Sequence, residues 1–267
     1  MGADIKQLRL RIKSVSSTQH LTKAMGLVAS SKIKRSTEQM LKSREYADAV
    51  TETIEQLSLC NECKKSPYMA ERDGGKIRLV VIAGDRGLAG GYNANIFRTL
   101  RDYPDAELVP IGKRACESIG ADIYLAEYFS YLNAKELSHK LCEDFVNGDF
   151  DKLGIVYTKY YSLMSQEATV RWVLPLERAE NKTAHTAVFE PDEITVLNEA
   201  VPEYVAGILI AGAKESVASE VAARRVAMDA ADKNAQEMLS SLRLQYNRAR
   251  QGAITQEITE IVAGSGL

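Results

Sequence analysis

Residues 5–36 read IKQLRLRIKSVSSTQHLTKAMGLVASSKIKRS, and along them a stripe recurs at Ile5, Leu8, Ile12, Val15, Gln19, Thr22, Gly26, Ala29, Ile33 and Ser36. It continues through Met40, Ser43, Ala47, Val50, Ile54 and Leu57. Steps of three and four residues alternate throughout, which keeps one side of a helix turned toward a partner helix. The two ends of the stripe are apolar and its centre is small or polar. That centre can be packed only by something that approaches closely, or it faces something else.

Helix breakers set the boundaries. All six prolines, at 67, 104, 110, 175, 191 and 202, lie between residues 67 and 202. A proline inside a helix costs about 3 kcal/mol, so proline-free ends predict two long helices. All five phenylalanines and the single tryptophan also fall in the middle, where a compact core needs them. The chain therefore divides into 1–66, an N-terminal long helix, 67–202, a central α/β domain with a linker, and 203–267, a C-terminal long helix. A helix of roughly 55–60 residues spans on the order of 85 Å, more than the middle segment can cover. The two ends are expected to run alongside each other past the globular body, clothed by each other or by other subunits.

The C-terminal segment opens with alanines at 211, 213, 218, 222, 223, 227, 230, 231 and 235. Alanine favours the helix and lets another backbone come close. A second stripe is predicted through Val217, Val221, Met228, Ala231, Ala235, Met238 and Leu242. In the middle, the apolar run Ile77–Ala83 predicts a buried strand, with further strands near 108–111, 153–160 and 168–176. Helices are predicted over 93–101, 113–119 and 134–146, and a polar link over 178–202. This alternation is that of a small sheet with helices on its faces.

Signs of catalysis are sparse. The turn Gly84-Asp85-Arg86-Gly87-Leu88-Ala89-Gly90-Gly91 follows the first strand, where phosphates are cradled in nucleotide-binding folds. It matches neither G-x-G-x-x-G nor G-x-x-x-x-G-K-[ST], and a tight structural turn with Asp85 and Arg86 exposed is the stronger reading. Cys60 and Cys63 have metal or redox spacing, but no second close pair completes a zinc site and no strand precedes them. Thiols placed by chance at a helix end are the favoured reading, a reversible disulfide the alternative. His20, His139 and His185 are scattered, and no nucleophile–base motif is present. No catalytic residue, cofactor or metal ligand is predicted, and the chain reads as a non-catalytic subunit.

Composition is that of a globular protein: 45% hydrophobic, 26% charged and a net charge of −2 over 267 residues. No apolar run reaches the roughly 20 residues that cross a bilayer, and four cysteines are too few for a secreted disulfide framework. The opening residues lack the apolar core of a signal peptide. The near-neutral total hides an asymmetry. Lys6, Arg9, Arg11, Lys13, Lys23, Lys32, Lys34 and Arg35 stand against Asp4 alone in residues 1–36. Such a helix seeks an acidic partner. Without interleaved aromatics for base stacking, an acidic protein surface is a better candidate than nucleic acid.

The run over 5–36 resembles the opening helix of the gamma subunit of F-type ATP synthases. GDRGLAGGYN resembles that family's first strand–turn segment, and ESVASEVAARRVAMDAADKNAQEML and RQGAITQEITEIVAGSGL resemble its C-terminal helix and signature. Four blocks in order, from end to end, carry the likeness. It implies an α/β fold with a long antiparallel coiled coil formed by the N- and C-terminal helices and a small central Rossmann-like α/β domain. It further implies a central-stalk rotor that couples ion-driven rotation of a membrane ring to conformational cycling of catalytic beta subunits, for ATP synthesis or hydrolysis. The implied partners are the alpha, beta and epsilon subunits and the membrane c-ring, and the implied location is the cytoplasmic face of the cell membrane, peripheral. By matching motifs, Lys23 and Met25 should lie near an acidic loop of beta, and Arg250, Gln251 and Thr255 where the shaft meets the hexamer. Chloroplast members carry a Cys-bearing central insert that this chain lacks, so their thiol control is not carried over to Cys60 and Cys63. That absence, with the lack of a transit peptide, implies a bacterial type. The coupling ion, proton or sodium, is a property of the membrane subunits.

Overall fold

The computed structural model describes residues 2–70, 72, 74–121, 124–178 and 189–264. Helix α1 runs Gly2–Ser58 and helix α5 runs Glu193–Gly264, each without interruption. Between them lie β1 (Ile77–Ile82), α2 (Tyr92–Thr99), β2 (Glu107–Ile111), α3 (Lys113–Ile119), α4 (Tyr131–Asn147), β3 (Lys152–Ser162) and β4 (Ser165–Leu174). The strands form one sheet in the order β2-β1-β3-β4. β1 pairs in parallel with β2 and β3, and β4 closes the edge antiparallel to β3.

The chain forms two compact units, and their limits differ from the three segments expected. One unit holds Met1–Ser30 with Arg224–Leu267, and the other holds Ser31–Ala223. α1 and α5 each contribute to both. α5 also begins at Glu193, ten residues ahead of the boundary placed at 203, so Pro202 lies inside it. Its missing N–H is tolerated because Val201, Tyr204 and Val205 around it are buried, and their burial offsets the lost helix bond. Residues 179–188, most of the expected link, lie outside the described residues.

In the larger unit the sheet is buried on both faces. Val80, Ile82, Ile155 and Tyr157 point into a core shared with Ala47, Ile54 and Leu57 of α1, Leu141 and Phe145 of α4, and Val205, Leu209 and Ala213 of α5. The alternate residues Leu79, Val81 and Val156 join Tyr92, Ile96 and Ala115 on the opposite face. Strand alternation makes this division, since successive side chains leave a strand on opposite sides. α5 lies close on the sheet because its contact face is small. A Cβ at Gly212 would come within 3.3 Å of the Ile82 side chain. Ser216 Oγ accepts from Thr158 N at 3.2 Å, and Ser219 Oγ donates to Thr158 O at 3.1 Å. One window of 18 residues in α5 is apolar enough by length and composition to cross a membrane, contrary to the sequence expectation, but 61% of it is buried inside the protein. It is a core helix.

α4 begins three residues earlier than predicted because Ser130 and Asn133 form a reciprocal capping box. It ends at Gly148 with φ +85, a left-handed stop that suits glycine. Phe145 at its C-terminal end is fully buried, packs against Tyr68 and Phe150, and carries the Arg72 guanidinium 4.3 Å over its ring. Phe145→Ala should therefore destabilise the larger unit by about 3–5 kcal/mol, read as a lower urea midpoint with an unchanged slope.

Candidate functional site

In the smaller unit α1 and α5 form an antiparallel pair. Gly26 of α1 lies against Arg225, Met228 and Asp229 of α5, whereas Arg9 meets Tyr246, whose hydroxyl accepts from its guanidinium at 2.9 Å. The Arg9 bond holds the Tyr246 hydroxyl below its ordinary pKa. Every stripe position predicted for α1, from Ile5 to Leu57, is buried or half-buried. On α5 the buried positions of this unit are Met228, Ala235, Leu239 and Leu242, and Arg224, Arg225, Val226, Ala227, Ala231, Asp232, Tyr246, Ala249 and Ala253 are half-buried. The prediction for α5 needs one correction. Met238 is 46% exposed, and Leu239, at 5%, takes its place in the seam. Both residues are apolar, so composition alone did not distinguish them. Runs of 235, 238, 242 and of 235, 239, 242 both alternate steps of three and four, so it is the phase set by the partner helix that selects Leu239.

The five residues expected at the partner surface occupy two separate places. Lys23 is exposed and Met25 half-buried on α1; Arg250, Gln251 and Thr255 are exposed on α5. The pairing places Lys23 level with residues near 231, so Arg250 lies about 28 Å further along α5 at 1.5 Å per residue. They do not converge on one pocket. Each set is accompanied by exposed apolar side chains, of which only Ile261 and Val262, in the small and apolar run 261–267, stand out in the sequence. Leu21, Leu27 and Val28 are 55–65% exposed beside Lys23 and Met25. Ile254, Ile258, Ile261 and Val262 are 46–70% exposed around Thr255. Their signal was present in the stripe itself, since all lie off it and yet are apolar. From Ile254 to Gly264 every residue is exposed, because the pairing brings the start of α1 level with residues near 252.

The glycine turn in the larger unit carries a different message. Asp85 was expected on the surface, but it is half-buried and its carboxylate accepts from three backbone N–H groups: Lys113 at 3.0 Å, Ala126 at 2.9 Å and Glu127 at 2.8 Å. Arg86 is exposed as expected. The turn's own N–H groups point at a second carboxylate. Glu220 of α5 accepts from Asp85 N at 3.3 Å and Arg86 N at 3.2 Å, and a Cβ on Gly84 would meet its carboxyl carbon at 2.9 Å. Gly84 N donates to Asn93 Oδ1 at 2.9 Å. Glu220 thus occupies with a carboxylate the backbone donors that a phosphate would use in a nucleotide site. Tyr92, at the head of α2, donates to Ser216 O at 2.9 Å, and burial pushes its hydroxyl pKa up.

Cys60 and Cys63 lie just past the end of α1, Cys63 within a short 3-10 turn. Burial first, then Cys60, pushes the Cys63 thiol up to about 11, and burial pushes Cys142 up to about 12. All four cysteines are free. Among the described residues no three His, Cys, Asp or Glu side chains are grouped to hold a metal ion.

A family model described as ATP synthase matches residues 4–266. The chain is 36% identical to the ATP synthase gamma chain of Geotalea uraniireducens over 98% of both chains, and 38% identical to that of Ruminococcus albus, also over 98% of both. The chain belongs to the ATP synthase gamma chain family. The gamma-chain fold is also that of a solved chain 17% identical to it, from the OSCP/F1/c-ring part of the Euglena gracilis mitochondrial ATP synthase in rotational state 3. That match has a TM-score of 0.69 and covers 100% of this chain and 97% of that one.

Within this gamma chain Glu220 should be structural. Glu220→Ala leaves two inward N–H groups without their acceptor and is expected to cost about 1–3 kcal/mol. Glu220→Gln keeps an acceptor oxygen and should recover most of the loss, both read from denaturant unfolding.

Proposed function

We propose that this gamma chain is the non-catalytic central-stalk rotor of a membrane-bound ATP synthase. It couples ion-driven rotation of the membrane c-ring to conformational cycling of catalytic beta subunits, in synthesis or hydrolysis of ATP. Alpha and beta subunits surround the helix pair, the epsilon subunit accompanies the α/β domain, and the complex is held peripherally at the cytoplasmic face of the cell membrane. Family membership over nearly the whole chain carries this reading. The chemistry agrees with it. A shaft needs two paired helices for torsional stiffness, a surface without deep ion-pair sockets, and few polar contacts to act as switchable catches. A buried ion pair with the surrounding bore costs about 3–5 kcal/mol to break from one side, so a surface full of them would stall rotation.

In this reading Lys23 and Met25 form one catch, facing an acidic loop of beta, and Arg250, Gln251 and Thr255 form the other, at the hexamer. The exposed run 254–264, with Ile254, Ile258, Ile261 and Val262 on its surface, suits an apolar sleeve. Its final residues, 265–267, lie outside the described residues.

Tagged chain should co-purify with two larger subunits in excess over itself; recovery of the chain alone from a cell that makes the complex would defeat the proposal. Replacing Arg250 and Gln251 with alanine should remove charge-assisted bonds worth about 1.5–3 kcal/mol at Arg250 alone. The expected result is at least tenfold weaker assembly or a matching fall in ATPase turnover. Unchanged assembly and turnover would remove these residues from the site.

A further inference from the structure

Cys60 and Cys63 are the motif of the sequence that the helix pair leaves unused. Helix α1 ends at Ser58, and Cys60 N donates to Leu57 O at 3.1 Å, so the chain keeps turning beyond the helix end. A 3-10 turn over Glu62–Lys65 follows, with Ser66 N donating to Cys63 O at 3.0 Å. Side chains three residues apart in such a turn share a side, and the two thiols lie within hydrogen-bond reach of each other. The segment is anchored on both sides of the pair. Arg178 Nη2 donates to Leu59 O at 3.3 Å, and Ser66 Oγ donates to Asn198 Oδ1 at 2.6 Å. The fold therefore holds the thiols together rather than leaving them loose at a helix end.

We propose that Cys60 and Cys63 are a redox modification site, a dithiol that a small organic disulfide, such as that of glutathione, converts to an intrachain disulfide and that a thiol restores. The site stands on this geometry and does not depend on the rotor reading. Access divides the labour. Cys60 is half-buried at the edge of the larger core, whereas Cys63 is fully buried and its thiol donates to the carbonyl oxygen of Glu193, the first residue of α5, at 3.5 Å. Cys60 is thus the sulfur that an outside disulfide reaches, and Cys63 the one that resolves the adduct. The other cysteines use their sulfurs differently: Cys116 lies buried against Pro110 O and the backbone of Tyr124, and Cys142 beside the Tyr68 hydroxyl.

The exchange balances in two steps. The Cys60 thiolate attacks one sulfur of the organic disulfide, whose sulfur–sulfur bond breaks, and one thiolate leaves while Cys60 keeps the other half as a mixed disulfide. Cys63 then loses its proton, its thiolate attacks Cys60 Sγ, and the second thiolate leaves. Two cysteine thiols are oxidised, one organic disulfide is reduced to two thiols, and the two cysteine protons end on those thiols. Closing the bond costs the fold little. Cys63 gives up its donation to Glu193 O, a carbonyl that keeps its place in the α5 ladder. Among the described residues no third Cys, His, Asp or Glu joins the pair in a metal-holding group, which favours exchange chemistry over metal binding.

The test equilibrates the folded full chain with glutathione disulfide and reduced glutathione at a series of ratios, followed by acid quenching, alkylation and peptide mass spectrometry. The peptide holding Cys60 and Cys63 should lose two hydrogens, reach half oxidation at one ratio and return fully on addition of excess thiol, while Cys116 and Cys142 stay reduced. Absence of that disulfide at every ratio, or its formation only in denaturant, overturns the proposal without any substitution being made. Cys63→Ala should stop at a glutathione adduct on Cys60, and Cys60→Ser should react at least about tenfold more slowly, since a buried thiol is inert. An adduct that persists in the unsubstituted chain as long as in Cys63→Ala removes Cys63 from the resolving role. Burial first, then Cys60, pushes the Cys63 thiol up to about 11. Its thiolate fraction below that pH rises about tenfold per pH unit, so decay of the Cys60 adduct should quicken by about that factor between roughly pH 7 and 9. Decay independent of pH would also count against the pair.

Discussion

The antiparallel alignment of α1 with α5 is the constraint on which the remaining structure depends. In the larger unit it is enforced by close contact: a Cβ at Gly207 would lie 3.0 Å from Val50 and 3.2 Å from Tyr46, and Arg44 pairs with the buried Glu215 at 2.7 Å. Glu215 also accepts from Tyr160 N at 2.9 Å, so one carboxylate fastens α5 to α1 and to β3 at once. In the smaller unit the alignment rests on the stripe, with no sheet to help. The two units therefore reach one pairing by different means, a three-way polar joint in the first and a knobs-and-gaps seam in the second.

Much of this was legible because long-range order here is written in short-range rules. Proline placement and the three–four alternation need no knowledge of the fold, and they located both helices and a stripe on α1 whose every position is protected. The strands were legible for the same reason. A run such as IRLVVIA has nowhere to go but the inside of a sheet covered on both faces. The misses share a cause as well. Pro202 was taken as a boundary because proline disfavours helix interiors locally, and burial of its neighbours overrode that local preference. Met238 and Leu239 are equally apolar neighbours, and only the phase of the partner helix tells them apart. An 18-residue window of α5 is apolar enough by length and composition to cross a membrane although no unbroken apolar run of that length marks it, and 61% of it is buried inside the protein.

The candidate site was legible only through resemblance, and physics explains why. Enzyme sites announce themselves by converging polar groups with perturbed titration. A surface that slides past its partners needs the opposite: dispersed, solvated and individually weak contacts. Lys23, Arg250, Gln251 and Thr255 are exposed side chains with nothing local to mark them. The apolar residues beside them, Leu27 and Val28 on one helix and Ile254 and Ile258 on the other, are the physical trace that such a surface does leave. They are apolar residues that lie off the stripe and remain about half exposed or more.

The glycine turn shows how a local pattern can be read correctly and its role still be mistaken. Glycines after a central parallel strand do present inward-facing N–H groups, and those groups do select a negative charge. What the pattern does not encode is whether the charge arrives from solution or from the chain. Here it arrives from residue 220, far along the sequence on a helix whose path is set by the sheet it crosses. Asp85 turns the same logic outward, gathering the N–H groups of 113, 126 and 127 around its own carboxylate. A turn able to bind phosphate has become a joint that binds carboxylates of its own chain. Such a joint needs no ligand to hold its shape, which suits a part that must transmit force rather than exchange substrate.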